Sequence, residues 1–445
     1  MRELIQTLRN IYKIPELRDR ILYTLLLLAV YRLGTYIILP GIDSTELQNS
    51  FNSGNGGGGL LGLFDIFLGG AFSRGSILAL GIMPYISASI VVQLLGAVVP
   101  SIQKLRNEGD SGIKKLNQIT RYLTVAITLG QSASYVVYLN SQYASATSQG
   151  TFFWITSVCI LTAGTMFLVW LGERITDNGI GNGVSLLIMI GIISVFPAAL
   201  INEFRVSLPM VFFIEVLALG VVTLAVVALT QAVRKVPVNY ARHMMGSRMG
   251  QIGRGPSARQ YIPLRVNSAG VMPIIFAQAI MFLPTTVLGL LNPDWIASAN
   301  FLVDYTSVGY NIIFGILVIL FTYFYTAITV NSTEIADQLK RNGGFVPGVK
   351  PGRKTAEFID TILTRITLPG SIFLAIVAIF PAIAIRLGVS GSFAQFFGGT
   401  SLLIMIGVVL DTLQQVESYL LMRHYDGLMK SGRVKGRKQR SRATI

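Results

Sequence analysis

The sequence predicts an all-α polytopic membrane protein, and three observations carry that expectation. The 445 residues are 52% hydrophobic and only 13% charged, with a mean hydropathy of +0.60, a balance unsuited to a dispersed soluble domain. Ten apolar stretches recur along the chain, each near the roughly 20 residues that a bilayer-crossing helix needs. The net charge is nevertheless +15, and the basic residues crowd into alternate gaps between the stretches. A soluble chain of this length would divide into about three domains; ten spans with short loops consume it as one membrane domain.

Residues 1–20 mix charges with Leu4, Leu8, Ile11 and Ile14 at helical spacing and lack the apolar core of a cleavable signal. They read as an amphipathic helix on the cytoplasmic face, or as a frayed soluble tail. The spans follow at about 21–40, 76–99, 119–139, 152–172, 183–201, 208–232, 267–290, 310–331, 367–387 and 399–421. Pro84, Pro273 and Pro369 start or interrupt helices, which membranes tolerate where neighbouring helices or water satisfy the freed backbone groups.

Orientation follows from charge. The amino-terminal segment holds Arg2, Arg9, Lys13, Arg18 and Arg20, and the gap after the second span Lys104, Arg106, Lys114, Lys115 and Arg121. Arg174 follows the fourth span. The gap after the sixth carries Arg234, Lys235, Arg242, Arg248, Arg254, Arg259 and Arg265 with no acid. The gap after the eighth carries Lys340, Arg341, Lys350, Arg353, Lys354 and Arg365. With the tail, these segments hold about 32 of the 36 basic residues, and the positive-inside rule puts all of them, both termini included, in the cytoplasm.

Two gaps depart from simple loops. The first external gap, GNGGGGLLGLFDIFLGGAFSRGS, is glycine-rich and then apolar over too short a run to span. It lacks the Gly-Lys-Ser/Thr ending of a phosphate-binding loop. It reads either as a mobile linker or as a short re-entrant helix over about 60–71. The long basic loop 235–265 reads as a hairpin projecting from the membrane.

Catalytic chemistry finds no support. Cys159 is a lone cysteine in an apolar span, and His243 and His424 lie in basic loops. No Walker motif, catalytic triad or metal-ligand cluster is present, so neither a cofactor nor an intrinsic ATPase is expected. A secondary transporter would place ionisable groups near the midplane, whereas Arg32, Glu215, Asp411 and Glu417 sit near span ends or on one helix face. An intramembrane protease would need paired Asp residues or a Ser/His pair inside spans, and none is apparent.

The stretches SILALGIMPYISASIVVQLL, GERITDNGIGNGVS, PLRVNSAGVMPIIFA, NGGFVPGVKPGRKTAEFID and FGGTSLLI, in this order and spacing, resemble the bacterial SecY family, the central subunits of the protein-translocating channel. The resemblance covers essentially the whole chain. It implies two inverted pseudo-symmetric halves, residues 21–201 and 208–421, forming a clamshell around an hourglass pore. No clear internal repeat supports the symmetry, although five spans per half force opposite topologies, in agreement with the charges. Cytoplasmic loops would occupy about 233–266 and 332–366, and a basic tail 422–445.

The same resemblance implies a pore ring of Ile82, Ile86, Ile188, Ile275 and Ile404. It implies a plug over 60–71 containing Leu60, Leu61, Leu63, Phe64, Ile66, Phe67 and Leu68. A lateral gate would lie between the second and third spans and the seventh and eighth, with Gln93, Gln131 and Gln278 as candidate gate residues; ordinary interhelical hydrogen bonding accounts for them as well. Implied partners are SecE-like and SecG-like small membrane subunits, the SecA ATPase, the ribosome, signal-bearing precursor proteins and the lipid bilayer. Docking would involve Arg242, Arg248, Arg254, Lys350 and Arg353, whose charges topology alone also explains. Lys350 stands where the family pattern often has Arg, with only a point charge, and Ser247 replaces a basic neighbour of Arg248. The tail reads as a contact for ribosomal RNA or anionic lipid, or as a solvated tail.

The chemistry suits the implied role of passing unfolded secretory polypeptides and releasing apolar segments sideways in a bacterial plasma membrane. An isoleucine ring offers no hydrogen bonds to a passing chain, and a narrow apolar constriction disfavours water and ions. A ten-residue apolar signal core gains roughly 3–6 kcal/mol in the bilayer, enough to bias a gate closed by a few kcal/mol.

Overall fold

The computed structural model describes residues 14–53, 60–143, 150–240, 260–278, 280–281 and 306–430. Helix α1 (Pro15–Gly34) starts on a proline whose missing N–H costs nothing in a first turn. Helix α2 (Ser44–Ser53) is capped by Asp43, which accepts from the Thr45 N–H at 3.0 Å and the Thr45 hydroxyl at 2.6 Å. Helix α3 (Leu60–Phe67) is short and apolar. It ends before residue 71 because Gly69 and Gly70 take φ of 68° and 80°, a left-handed conformation that stops a helix. Helix α4 (Met83–Val98) begins later than the apolar run suggests: residues 76–82 form turns, Ser76 bridges to Ile38, and Pro84 sits in the first helical turn.

The chain continues through α5 (Pro100–Asn107), α6 (Asp110–Gln142), α7 (Thr151–Asn178), α8 (Gly183–Val206) and α9 (Pro209–Gln231). After strands β1 (Val233–Tyr240) and β2 (Gln260–Arg265) come a helical stretch at 272–278, α10 (Val308–Thr329) and α11 (Ser332–Arg341). Strand β3 (Gly344–Phe345), α12 (Arg353–Arg386), α13 (Gly391–Ala394) and α14 (Gly399–Lys430) complete the order.

Six of the described stretches are long and apolar enough to cross a membrane: Thr151–Asn178, Gly183–Val206, Pro209–Gln231, Val308–Arg341, Arg353–Arg386 and Gly399–Leu420. The protein is therefore a polytopic helical membrane protein. Met83–Gly96 is apolar but shorter, and α1 and α6 carry charged residues within their length. Several helices overrun the apolar stretches. Helix α12 starts at Arg353, well ahead of 367, and passes through Pro369 without a break, so that proline neither starts nor ends a helix.

The membrane-spanning part is helical throughout the described residues, and the hairpin expected over 235–265 is present as part of a small sheet. Strands β1, β2 and β3 form an antiparallel sheet in the order β2-β1-β3, with Val233 opposite Arg265 and Val238 opposite Gln260. The cause is a period of two hidden among the charges. Val236 and Val238 point inward while Lys235, Pro237 and Asn239 face out. The inward residues join Leu264, Leu339, Val346, Ile359 and Leu363 in a small core that seats the sheet on α11 and α12.

Helices pack through small and hydroxyl side chains, as apolar solvent requires. On α6, Thr120, Thr124, Thr128 and Ser132 repeat every fourth residue, are buried, and donate their hydroxyls to carbonyls one turn back at 2.6–2.9 Å. Helix α6 lies against α4 and α7, α7 against α8, and α10 against α12. Helix α14 contacts both α8 and α12, joining the earlier and later parts of the chain.

Candidate functional site

Four separate segments bring the five isoleucines together. Ile82, Ile86, Ile188 and Ile404 belong to one continuous cluster of buried apolar side chains, and Ile275 is half-buried against it. Each segment turns inward in the same way. Gly81, Gly181, Gly270 and Gly399 all have positive φ, from 55° to 80°; the first three lie two residues before a helix start and Gly399 opens α14, with Ile82 immediately before α4 and the other isoleucines in the first two turns of their helices. These turns set the helix starts inside the bundle, which is how residues more than 300 positions apart in the sequence come to share one core.

The end of α3 meets this core. Ile66 and Phe67 are members of the same cluster, and Leu68 is buried beside them. Phe67, Leu68, Ile82, Ile188, Tyr31 and Leu187 border a cavity of about 10 Å³, near the least volume that holds one water. The approach is close. A Cβ built at Gly81 would lie 2.1 Å from Leu68 Cδ2, and one at Gly191 would lie 2.5 Å from the Phe67 carbonyl oxygen. The side chains of Leu60, Leu61, Leu63 and Phe64 lie outside the described residues. Asp65, on the same helix, accepts from the Ser73 N–H at 2.9 Å. Burial pushes its carboxyl above the usual range, while the bonds from Ser73 and the nearby Arg74 act the other way.

The remaining candidates are dispersed. Gln93 is exposed and donates to Ser89 on its own helix at 3.2 Å, Gln131 is half-buried, and Gln278 is buried. Among the described residues no hydrogen bond links the three. Arg242, Arg248 and Arg254 lie outside the described residues. Lys350 is exposed, and its carbonyl accepts from the Thr355 hydroxyl at 3.0 Å. Arg353 is exposed too and pairs with Glu357 at 3.3 Å, a carboxylate it shares with Lys354.

Sequence reasoning missed the polar ties at the two ends of α8. At its N-terminal end Asn182 caps the helix, accepting from Val184 and Ser185. The Gly181 N–H donates to Gln415 on α14 at 2.8 Å, Arg20 donates to the Gly179 carbonyl at 3.2 Å, and the Ile180 N–H donates to Thr24 at 3.1 Å. At its C-terminal end Glu203 is fully buried. Its carboxylate accepts from the Ser207 hydroxyl at 2.6 Å, from the Ser390 N–H at 3.2 Å and from the Ser390 hydroxyl. The NGIGNG run signals a turn, but nothing in the sequence names its partners 156 and 234 residues away.

Comparison with known proteins bears on this arrangement. The SecY family model matches residues 76–413. The chain is 40% identical over 438 residues to the protein translocase subunit SecY of Streptomyces coelicolor, covering 94% of this chain and 98% of that one. A solved protein-conducting channel superposes with a TM-score of 0.64 at 15% identity, over 94% of each chain. Sec61 from a canine ribosome–channel complex of the endoplasmic reticulum gives a TM-score of 0.60 at 15% identity, again over 94% of each chain. With a family model spanning most of its length and a relative this similar along nearly all of it, the chain belongs to the SecY family of protein-conducting channel subunits.

Proposed function

We propose that the isoleucine cluster is the constriction of this channel and that α3 is the plug resting against it. The observation that carries the reading is that four of the ring candidates, together with Ile66 and Phe67, occupy a single buried apolar core, with Ile275 against it. Such a waist offers a passing chain no hydrogen bonds and disfavours ions. In the fuller reading, ten spans form two inverted halves around an hourglass pore. The halves part laterally between the second and third spans and the seventh and eighth to release apolar segments, with Gln93, Gln131 and Gln278 lining the gate. Both termini face the cytoplasm of a bacterial plasma membrane.

The sheet and α11 support a docking platform. They lie in the two basic loops, where Arg242, Arg248, Arg254, Lys350 and Arg353 suit phosphates or an acidic partner surface. The fold shared with a ribosome-bound channel supports the ribosome as one partner; SecA, and SecE-like and SecG-like subunits, complete the proposed set.

The test is reconstitution with SecA, ATP and a signal-bearing precursor in sealed vesicles. Precursor should become protease-protected. Substituting Ile82 and Ile188 together by Asn should raise ion leakage at rest several-fold by wetting the waist, read as dissipation of an imposed ion gradient. Leakage equal to that of the unaltered channel would remove these residues from the constriction.

A further inference from the structure

A compact polar cluster ties the turn after α3 to the end of α1. Arg32 Nη1 donates to the Gly69 carbonyl at 3.0 Å and Nη2 reaches the Tyr36 hydroxyl at 3.4 Å. The Tyr36 ring carries two guanidiniums, with Arg32 Cζ 5.1 Å and Arg74 Cζ 4.5 Å from its centroid. Arg74 ends a closed knot: the Gly70 N–H donates to the Asp65 carbonyl at 2.8 Å, and the Ser73 N–H to the Asp65 carboxylate at 2.9 Å. The Tyr135 hydroxyl of α6 fastens the far side of the knot, donating to the Phe72 carbonyl at 2.8 Å.

The carbonyl that Arg32 reaches belongs to the turn after α3. The Gly69 carbonyl lies in the left-handed turn two residues beyond α3, outside the helix's own hydrogen bonding, and the guanidinium gives it a charge-assisted bond. Space is matched to it, since a Cβ built at Gly69 would lie 2.7 Å from Arg32 Nη1 and 2.9 Å from Ser194 Oγ. The other contacts of Ile66, Phe67 and Leu68 are apolar and have no preferred direction. Arg32 therefore supplies a directional bond from α1 to the turn that follows α3.

We propose that Arg32 is the positioning residue that latches the plug. Its bond to the Gly69 carbonyl, braced by the Tyr36–Arg74 stack, holds the plug at the waist and breaks before the plug moves out. The proposal rests on the reading of α3 as a plug. Neither Arg32 nor Tyr36 is among the residues assigned to the constriction, the gate or the docking platform.

The experiment follows exposure of residue 68 in the full-length channel, reconstituted with its small membrane partners. Cys159→Ser removes the natural thiol, Leu68→Cys introduces one, and a water-soluble maleimide reports its labelling rate. Leu68 is 5% exposed, so labelling at rest should be slow. Arg32→Gln should accelerate it about tenfold without any precursor, the factor that ~1.4 kcal/mol carries, and Arg32→Lys should do so less. Tyr36→Leu, at an exposed position, keeps Arg32 but removes its brace, and should give a smaller increase even if the Arg32 variants fail to fold. SecA, ATP and precursor should accelerate labelling in the channel that retains Arg32. If transport exposes the thiol but every well-folded Arg32 and Tyr36 variant labels at the resting rate, the latch is overturned and the plug stands. If transport leaves the thiol shielded, the plug reading fails and takes the latch with it.

Discussion

The two ends of α8 are held in contrasting ways. At the N-terminal end, the Gly181 N–H meets the Gln415 amide and Asn182 caps the helix, two neutral ties beside a cationic donor, Arg20 on the Gly179 carbonyl. Asn182 and Gln415 are exposed, so water reaches the side of each bond that they supply, although Gly181 itself is buried. At the C-terminal end, a fully buried carboxylate takes three donors from Ser207 and Ser390. Breaking a neutral exposed bond costs little because water substitutes, whereas leaving a buried carboxyl group short of partners costs its desolvation. Both ends join the early and late parts of the chain, yet one is easily remade and the other is not. A channel that opens and recloses can use both, an end that yields and an end that stays joined.

Substitutions can break that contrast, beginning with the largest effect. Ser390→Ala removes a hydroxyl donor from the Glu203 carboxylate and should cost about 1.5–3 kcal/mol, read as a lowered thermal unfolding midpoint of the purified protein. Adding Glu203→Gln should recover part of the loss, because the neutral amide needs fewer donors. Asn182→Ala should cost about 1 kcal/mol through the lost cap, and Gln415→Ala about 0.5–1.5 kcal/mol in the same measurement. A loss at Gln415 as large as that at Ser390 would erase the distinction between the two ends. The smallest effect belongs to the proposed docking platform. Arg353→Ala removes an ion pair whose arginine side chain is 92% exposed, and such pairs contribute about 0–1 kcal/mol. Stability should hold while salt-sensitive binding of a cytoplasmic partner weakens; unchanged binding at low salt would take Arg353 out of the docking set.

Much of the helical architecture was readable from hydropathy, since crossing a bilayer imposes a length and a composition that leave little freedom. The spans at 152–172, 183–201, 208–232 and 310–331 each correspond to a helix of similar extent. Where charge or proline enters, the reading slipped. Helix α4 starts at Met83 because glycine and proline punctuate 76–84, and α12 runs back to Arg353 because a helix continues past the apolar residues that hydropathy detects. The basic loop 235–265 reads as a hairpin, and β1 and β2 pair there, but the third strand lies outside that loop and the apolar face formed by Val236, Val238 and Leu264 is hidden in a segment dominated by arginines. The five isoleucines proposed to form the constriction follow from resemblance to a family; taken singly, each looks like any other apolar residue of a membrane helix.

Sequence alone determined that the chain enters a bilayer through several helices and which gaps carry the positive charge, because each of these follows from the local cost of moving side chains and backbone between water and lipid. Only the tertiary structure decided which donor meets which acceptor across long stretches of chain: Arg32 on Gly69, Gln415 on Gly181, Ser390 on Glu203. Those pairings depend on directional bonds a few ångströms long. Their geometry exists only after the helices have packed, and no local pattern of residues encodes it.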